Sequence, residues 1–464
     1  MSAEFSWQRW PRVEALLEGY LREFVGVHIE ARTLETDLAT GASVRLFDLL
    51  DHLTVRGDGA ALGGLFREHG FIREEVATPD GLTVYAHQGA QVPRLALRER
   101  RESAETVVED IAVKVESIED FLLVRGLDAP IEGSPLSPLR TATLWLHDGR
   151  GVRLVERRGD RGLTARAMPR GYADDYLAAR ERWSTRTRTT TPSEDAAVMA
   201  TTRERAREIV AAVGRDTAAW IVFEVERAYW ERRNAAAQVQ KARQDRLGIG
   251  WANHDHHTFR SSRAGFATLI GLLEDLGFVC RERFYAGAEA GWGAQVLEQA
   301  ICGLVVFADV DLLPEETRID FAHTPLEETS DRLGTVGLWC ALHGESILSA
   351  GMHHLEGQFE FERLRDDLAA SGVAMMAPFS DFPHLRQAFT KGERWAVSPQ
   401  RLNDVRARGL ITAVQHETFA REGAIGSHLE NLQRHDGFKG FNQRNVSTII
   451  RATDPRAALE TAPA

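Results

Sequence analysis

Cysteine is scarce: three residues in 464, Cys280, Cys302 and Cys340, and none forms a CxxC pair. That leaves no disulfide framework and no thiolate metal knuckle, and an odd count fits a reducing compartment. Long apolar runs are absent too. No stretch approaches the roughly 18 residues of a membrane span, and the first residues lack the basic-then-apolar order of a signal peptide. "MSAEFSWQRWPRVEALLEGYLREF" instead reads as an amphipathic helix. An excess of basic charge is likewise missing: Lys and Arg total 56 against 68 Asp and Glu, a net charge of -12. Nucleic acid is therefore not the expected partner, because phosphate backbones need basic patches. No Gly-Lys-Ser/Thr follows the glycines of "GAEAGWGAQV", and "VQHETF" around His416 and "FAHTPLEETSD" around His323 lack the HExxH spacing, so phosphate-loop and zinc-protease chemistry are excluded. These absences imply a cytoplasmic protein of two or more domains.

What the chain does contain is a repeat. "DHLTVRGDGAALGGLFREHGF" from Asp51 and "DHHTFRSSRAGFATLIGLLEDLGF" from Asp255 share Asp-His-x-Thr-apolar-Arg, a helical stretch and a Gly-Phe turn. "VYAHQGAQV" (Val84–Val92) and "FYAGAEAGWGAQV" (Phe284–Val296) extend the match. Each half carries a weaker second copy, from "VVEDIAVKVESIEDF" and from "SILSAGMHHLEGQFEF". Every copy reads strand, helix, then several strands. The expected fold is α+β: tandem βαβββ modules forming half-barrels, with a helical spacer between two halves. The expected boundaries are 1–190, a degenerate N-terminal pair; 196–247, the spacer, with Thr201 and Glu204 as its capping box; 248–455, a metal-binding catalytic half; and 456–464, a flexible tail.

Residues two apart on a strand face the same side. In "DHHTFR", His256, Thr258 and Arg260 then share one face, and Asp255, His257 and Phe259 the other. Phe259 should meet a helix, which leaves His256 and Arg260 in the half-barrel. Asp255, His254 and His257 read as packing and surface contacts. His353 and His354 stand at the corresponding strand start, and Glu430 lies in a histidine-rich segment near the C-terminus. Two histidines and one carboxylate leave open positions and suit iron(II) reacting with dioxygen. Each imidazole must be neutral to bind metal, so affinity should fall below about pH 6. In the first half, His52 and Arg56 repeat the pair, Glu109-Asp110 stands for His353-His354, and Glu156 is a third carboxylate, a poor iron set.

From Trp251 to Asp454 the sequence resembles the 2-oxoadipate dioxygenase/decarboxylase (hydroxyglutarate synthase) family of the vicinal oxygen chelate superfamily. The resemblance rests on four stretches in order: His256-x-x-x-Arg260 with its helix and Leu276-Gly277-Phe278 turn; "LVVFADVDLLPEE" (Leu304–Glu316); "MHHLE"; and "GSHLENLQRHDGF". It implies His256, His354 and Glu430 as metal ligands, with His353 the alternative to His354, since aligning Leu355 selects one and counting back from Gly372 the other. It also implies Arg260 as the holder of a substrate carboxylate, Val446 and Ser447 as substrate-binding residues, Fe(II) as cofactor, dioxygen as co-substrate, and a 2-oxo acid as the small-molecule partner. The family's threonine after the second ligand is Glu356 here. An extradiol dioxygenase or isomerase on the same scaffold, and a non-catalytic binding protein, are the alternatives; oligomeric state is open.

Overall fold

The computed structural model describes residues 7–100, 105–288, 290–328, 333–442 and 454–456. Four βαβββ modules follow one another, and they pair into two mixed sheets. This is the α+β architecture of tandem βαβββ modules expected from the repeat. The N-terminal sheet has eight strands, ordered Ile72–Glu74, Leu82–Ala86, Arg94–Glu99, Leu50–Gly57, Val107–Lys114, Arg150–Arg157, Leu139–His147 and Ile131–Glu132. The C-terminal sheet has nine. Its path runs Val279–Tyr285, Trp292–Gln299, Leu304–Asp311, His254–Arg260, His354–Gln358, Ala424–Arg434, Leu385–Phe389 and Ser380–Phe382, with Glu393–Trp395 paired to Ala424–Arg434. In both sheets the first strands of the two modules lie side by side, antiparallel, at the centre.

Local chemistry sets these elements. Asp58 and Ser117 cap the helices Gly59–Glu68 and Ile118–Arg125 by accepting from Ala61 N and Asp120 N, which satisfies otherwise orphaned donors. In Phe266–Asp275, the buried Phe266, Leu269, Ile270 and Leu273 recur at helical spacing and face the sheet. The turn after it needs Gly277, whose φ is +89° and whose missing Cβ leaves room for the Arg215 side chain. Phe259 meets the ring of Phe223 on a helix, as strand alternation requires.

Two readings of the sequence do not hold. The "YA…GAQV" match pairs segments that are not equivalent. Val84–Ala86 lies in the second strand after its helix and Gly89–Val92 in a loop, whereas Phe284–Tyr285 ends the first strand and Gly293–Val296 lies within the second. Thr201 is not a helix cap: its helix starts at Asp195, and its hydroxyl donates to Val198 O one turn back. Among the described residues no helix is long and apolar enough to cross a membrane.

Three helices, Asp195–Val213, Arg215–Glu231 and Ala235–Asp245, lie where the sequence led us to expect a helical spacer. Glu226 anchors it. Fully buried, it accepts from Trp183 Nε1 at 2.8 Å, Arg186 at 2.8 Å and Arg188 at 2.7 Å, and Arg186 also donates to Ile347 O in the C-terminal half. Burial alone would raise this carboxyl; the two guanidiniums outweigh it and hold it low. Removing one partner of such a group strands the others. Glu226→Ala should therefore lower unfolding free energy by about 3–5 kcal/mol, read from the urea midpoint. A change under about 1 kcal/mol would contradict this role.

Candidate metal centre

Strand register builds the site. His256, Glu356 and Glu430 lie opposite one another across three adjacent strands, and Thr258, His354 and His428 form the next row. Because alternate residues share a face, His354 and Glu356 project together, as do His428 and Glu430. The structure thus brings His256, His354 and Glu430 into one buried group whose ligand atoms all lie within 4.8 Å of one another. His354 Nε2 is 3.0 Å from Glu430 Oε2, and His256 Nε2 is 4.0 Å from the same oxygen. His353 is outside this group; its ring packs against Trp339 and its Nδ1 meets His354 Nδ1 at 2.9 Å.

A second layer of polar groups fixes these donors. Glu356 contacts His256 Nδ1, the nitrogen turned away from Glu430. Asp255 Oδ1 is 3.4 Å from the same nitrogen. Asp255 was expected to do no more than pack on the far face. A register shift between Glu356 and Gly357 accompanies its approach, and Arg434 holds it with contacts of 3.0 and 3.1 Å. Gln387 Nε2 donates to both Glu356 and Glu430 at 3.1 Å. Glu356 is the residue that sequence reasoning set aside as a departure. The signal was present: it is two residues beyond His354 on one strand.

The charges do not balance without a cation. Burial holds His256 and His354 neutral, and the nearby Arg260 charge adds to the effect at His354. Arg434 serves Asp255. Glu356 and Glu430 then stand side by side with no cation of their own. Burial pushes Glu430 up to about 7, and burial together with the charges of Glu430 and Asp255 pushes Glu356 well above the usual range. A divalent ion would let both ionise, so two neutral imidazoles and a carboxylate fit a transition metal here. Glu356 and Asp255 would orient His256 from behind. Asp255, His256 and Glu356 form a further group of closely spaced donor atoms.

Arg260 lies on the same strand face, 4% exposed. Its guanidinium sits 5.5 Å over the Trp339 ring and its Nε is 3.8 Å from Asp309 Oδ2, too far for a hydrogen bond. Nε and Nη1 have no acceptor among the described residues. Burial pushes Asp309 up to about 7 despite Arg260. Aromatic rings wall the donors: Phe307 is 4.3 Å from His256, Phe389 is 4.9 Å from His354, and Phe441 packs on Phe307 at 4.6 Å.

The N-terminal half has no such group among its described residues. The same register puts Asp110 where His354 stands, Ala112 where Glu356 stands and Arg153 where Glu430 stands. His52 is engaged by Asp51 at 2.7 Å, and Arg56 by Glu109 at 3.2 Å. Glu156 is no third ligand: it accepts from Ile118 N at 2.8 Å and pairs with Arg140 and Arg158. His323 and His416 are on the surface, bonded to Asp320 and Glu274 and to Asn403. Val446 and Ser447 lie outside the described residues.

No family model matches the sequence, and no curated protein does. Solved structures do align. A triple mutant of 4-hydroxymandelate synthase from Streptomyces coelicolor is 12% identical, covering 87% of this chain and 98% of its own, with a TM-score of 0.26. The Mn(II)-bound glyoxalase from Novosphingobium aromaticivorans is 9% identical over 84% and 82%, TM-score 0.20. Methylmalonyl-CoA epimerase from Mycobacterium tuberculosis is 16% identical over 24% and 89%, TM-score 0.19. Scores this low carry no functional argument.

The pH response follows from Glu430. Its ordinary value of 4.5 rises to about 7 in the folded protein, so folding takes up a proton between those values. Stability from this group is complete below 4.5 and is lost as pH climbs through 7. Metal binding must expel that proton. The threshold for metal affinity therefore belongs near pH 7, set by Glu430, and not below pH 6, because burial keeps both imidazoles neutral. The rise in melting temperature on adding Mn(II) should be larger at pH 8 than at pH 6, and Glu430→Gln should abolish it. A rise equal at both pH values would contradict the assignment.

Proposed function

We propose that the C-terminal half is a non-haem iron(II)-dependent dioxygenase/decarboxylase that converts a 2-oxo acid to a 2-hydroxy acid. One dioxygen is consumed and one carbon dioxide released: both oxygen atoms enter the products, the bond between the carboxylate and the ketone carbon breaks, and the adjacent carbon gains a hydroxyl. The observation that carries this reading is the buried His256–His354–Glu430 group, with the Arg260 guanidinium on the same strand face, whose Nε and Nη1 have no acceptor among the described residues. Iron(II) held by these three residues would supply the activation of dioxygen that organic side chains cannot.

The remaining work belongs to the chain. Arg260 offers its guanidinium to a substrate carboxylate; a planar group buried against Trp339 loses little entropy in doing so. Its preference for an acid favours 2-oxo acids over catechols, which have less need of a carboxylate clamp. Phe307, Phe389 and Phe441 exclude water beside the donors. Gln387 holds Glu430 and Glu356 in place, while Glu356 and Asp255 keep His256 turned so that Nε2 faces Glu430. The N-terminal half contributes packing, and its described residues bring together no matching donor group. The cysteines are free, and Cys280 is exposed, which supports a reducing, cytoplasmic setting.

Oxygen uptake by iron-loaded protein with a panel of 2-oxo acids tests the activity. His354→Ala and Glu430→Ala should each reduce uptake to background, whereas His52→Ala should leave it unchanged. Glu356→Ala should weaken metal binding about 10–100-fold. Uptake with catechols alone would sink the reading in favour of ring cleavage, and no turnover with any metal would favour a binding protein. Separately, Arg260→Lys should raise the Michaelis constant for dicarboxylic 2-oxo acids more than for monocarboxylic ones; equal rises would remove Arg260 from the clamp role.

A further inference from the structure

A cavity of about 340 Å³ lies between the two halves, and none of His256, His354 and Glu430 lines it. The N-terminal half supplies Asp51, Arg94, Lys114 and Arg157. Trp251, Asp255 and Arg434 come from the C-terminal half, and Trp220 and Arg227 from the helix Arg215–Glu231. Trp220 and Arg227, seven residues apart, share one helix face. Such a volume is at the small end of the range for metabolite sites.

Most cations of this wall are spoken for. Asp51 takes Arg94 at 2.9 Å and Arg157 at 2.6 Å, Arg434 pairs with Asp255 at 3.0 Å, and Lys439 with Glu298 at 3.0 Å. Lys114 and Arg227 differ. Among the described residues neither has a carboxylate within the 4.0 Å of an ion pair. Arg227 is 3% exposed. Among the described residues its Nη1 meets His257 Nε2, at 3.3 Å, its guanidinium lies 5.1 Å over the Trp220 ring, and its Nε has no acceptor. The nearest acids in its field are engaged elsewhere: Glu116 with Trp251 N at 3.2 Å and Lys241 at 3.4 Å, Glu224 with Tyr176 at 2.8 Å and Arg180 at 3.0 Å. Burial pushes Lys114 and Arg227 below their ordinary values, as expected of cations lacking a counter-charge.

An uncompensated buried guanidinium is costly unless something anionic completes it. We propose that the cavity between the halves is a binding site for a small carboxylic acid, held by Lys114 and Arg227 and bordered by the indoles of Trp220 and Trp251. It is distinct from the metal centre in its lining, which includes none of His256, His354, Glu356 and Glu430. The indoles suit the apolar body of such an acid, and the two cations its head.

Calorimetric titration of the full-length protein with succinate at low ionic strength tests this. Binding is expected in the wild type and in His354→Ala, which lacks a metal donor, so the outcome does not depend on the activity proposed above. Lys114→Gln and Arg227→Gln should each weaken binding about 10-fold or more, the loss of one hydrogen bond to a charged group. Lys114→Arg should retain most of it. Should Arg227→Gln fail to fold, Lys114→Gln, at the cavity edge, decides. The proposal is overturned by any of four results: no binding to the wild type; binding lost in His354→Ala, which would put succinate at the metal centre; binding unchanged in Lys114→Gln; or binding of inorganic phosphate with none of succinate.

Discussion

Two buried carboxylates side by side are the constraint on which the C-terminal half is organised. Glu356 and Glu430 occupy paired positions on neighbouring parallel strands and are wholly enclosed. Like charges at such range cannot both ionise in a dry setting unless a cation joins them. The imidazoles beside them are neutral, and the nearest guanidinium, Arg434, is committed to Asp255. Without metal the pair must keep a proton; with a divalent ion it need not. The same imbalance accounts for the raised carboxyls, for the Gln387 amide that bridges both side chains, and for the pH at which metal should compete.

Duplication explains why one half has this arrangement and the other does not. Both sheets use the same register at their centres, so a single substitution pattern decides the outcome. Ala112 and Arg153 take the places of Glu356 and Glu430. A guanidinium in the third position repels a cation, and alanine removes the second carboxylate. His52 then has no metal partners and settles on Asp51. The scaffold is kept because its sheet and helices still bury a continuous core with the second half. The cavity between the halves exists only because both are present.

Much of this could be read from the sequence. The Asp-His-x-Thr-apolar-Arg repeat fixed the strand starts, strand alternation put His256 and Arg260 on one face, and the order of the later segments pointed to His354 and Glu430. The failures have physical causes. Similar text misled where loop length differed between copies, as with the tyrosine-alanine segments. Thr201 has capping chemistry, but its helix begins earlier. Glu156 sits on the right strand, yet three positions beyond Arg153, and its carboxylate serves a helix N-terminus. Glu356 was set aside because it stands where the resembled family has threonine, and its place beside Glu430 is set by strand register. Asp255 required a register shift that no spacing rule displays. The unpaired state of Lys114 and Arg227 depends on which acids other residues capture, a property of the whole fold.

The most direct test of the central claim is anomalous scattering at the manganese edge from crystals grown with manganous salt. One strong peak should appear within coordination distance of His256, His354 and Glu430, with Glu356 and Asp255 turned to His256 from behind. A peak coordinated instead by Asp255, His256 and Glu356, or no peak in the C-terminal sheet, would contradict the account.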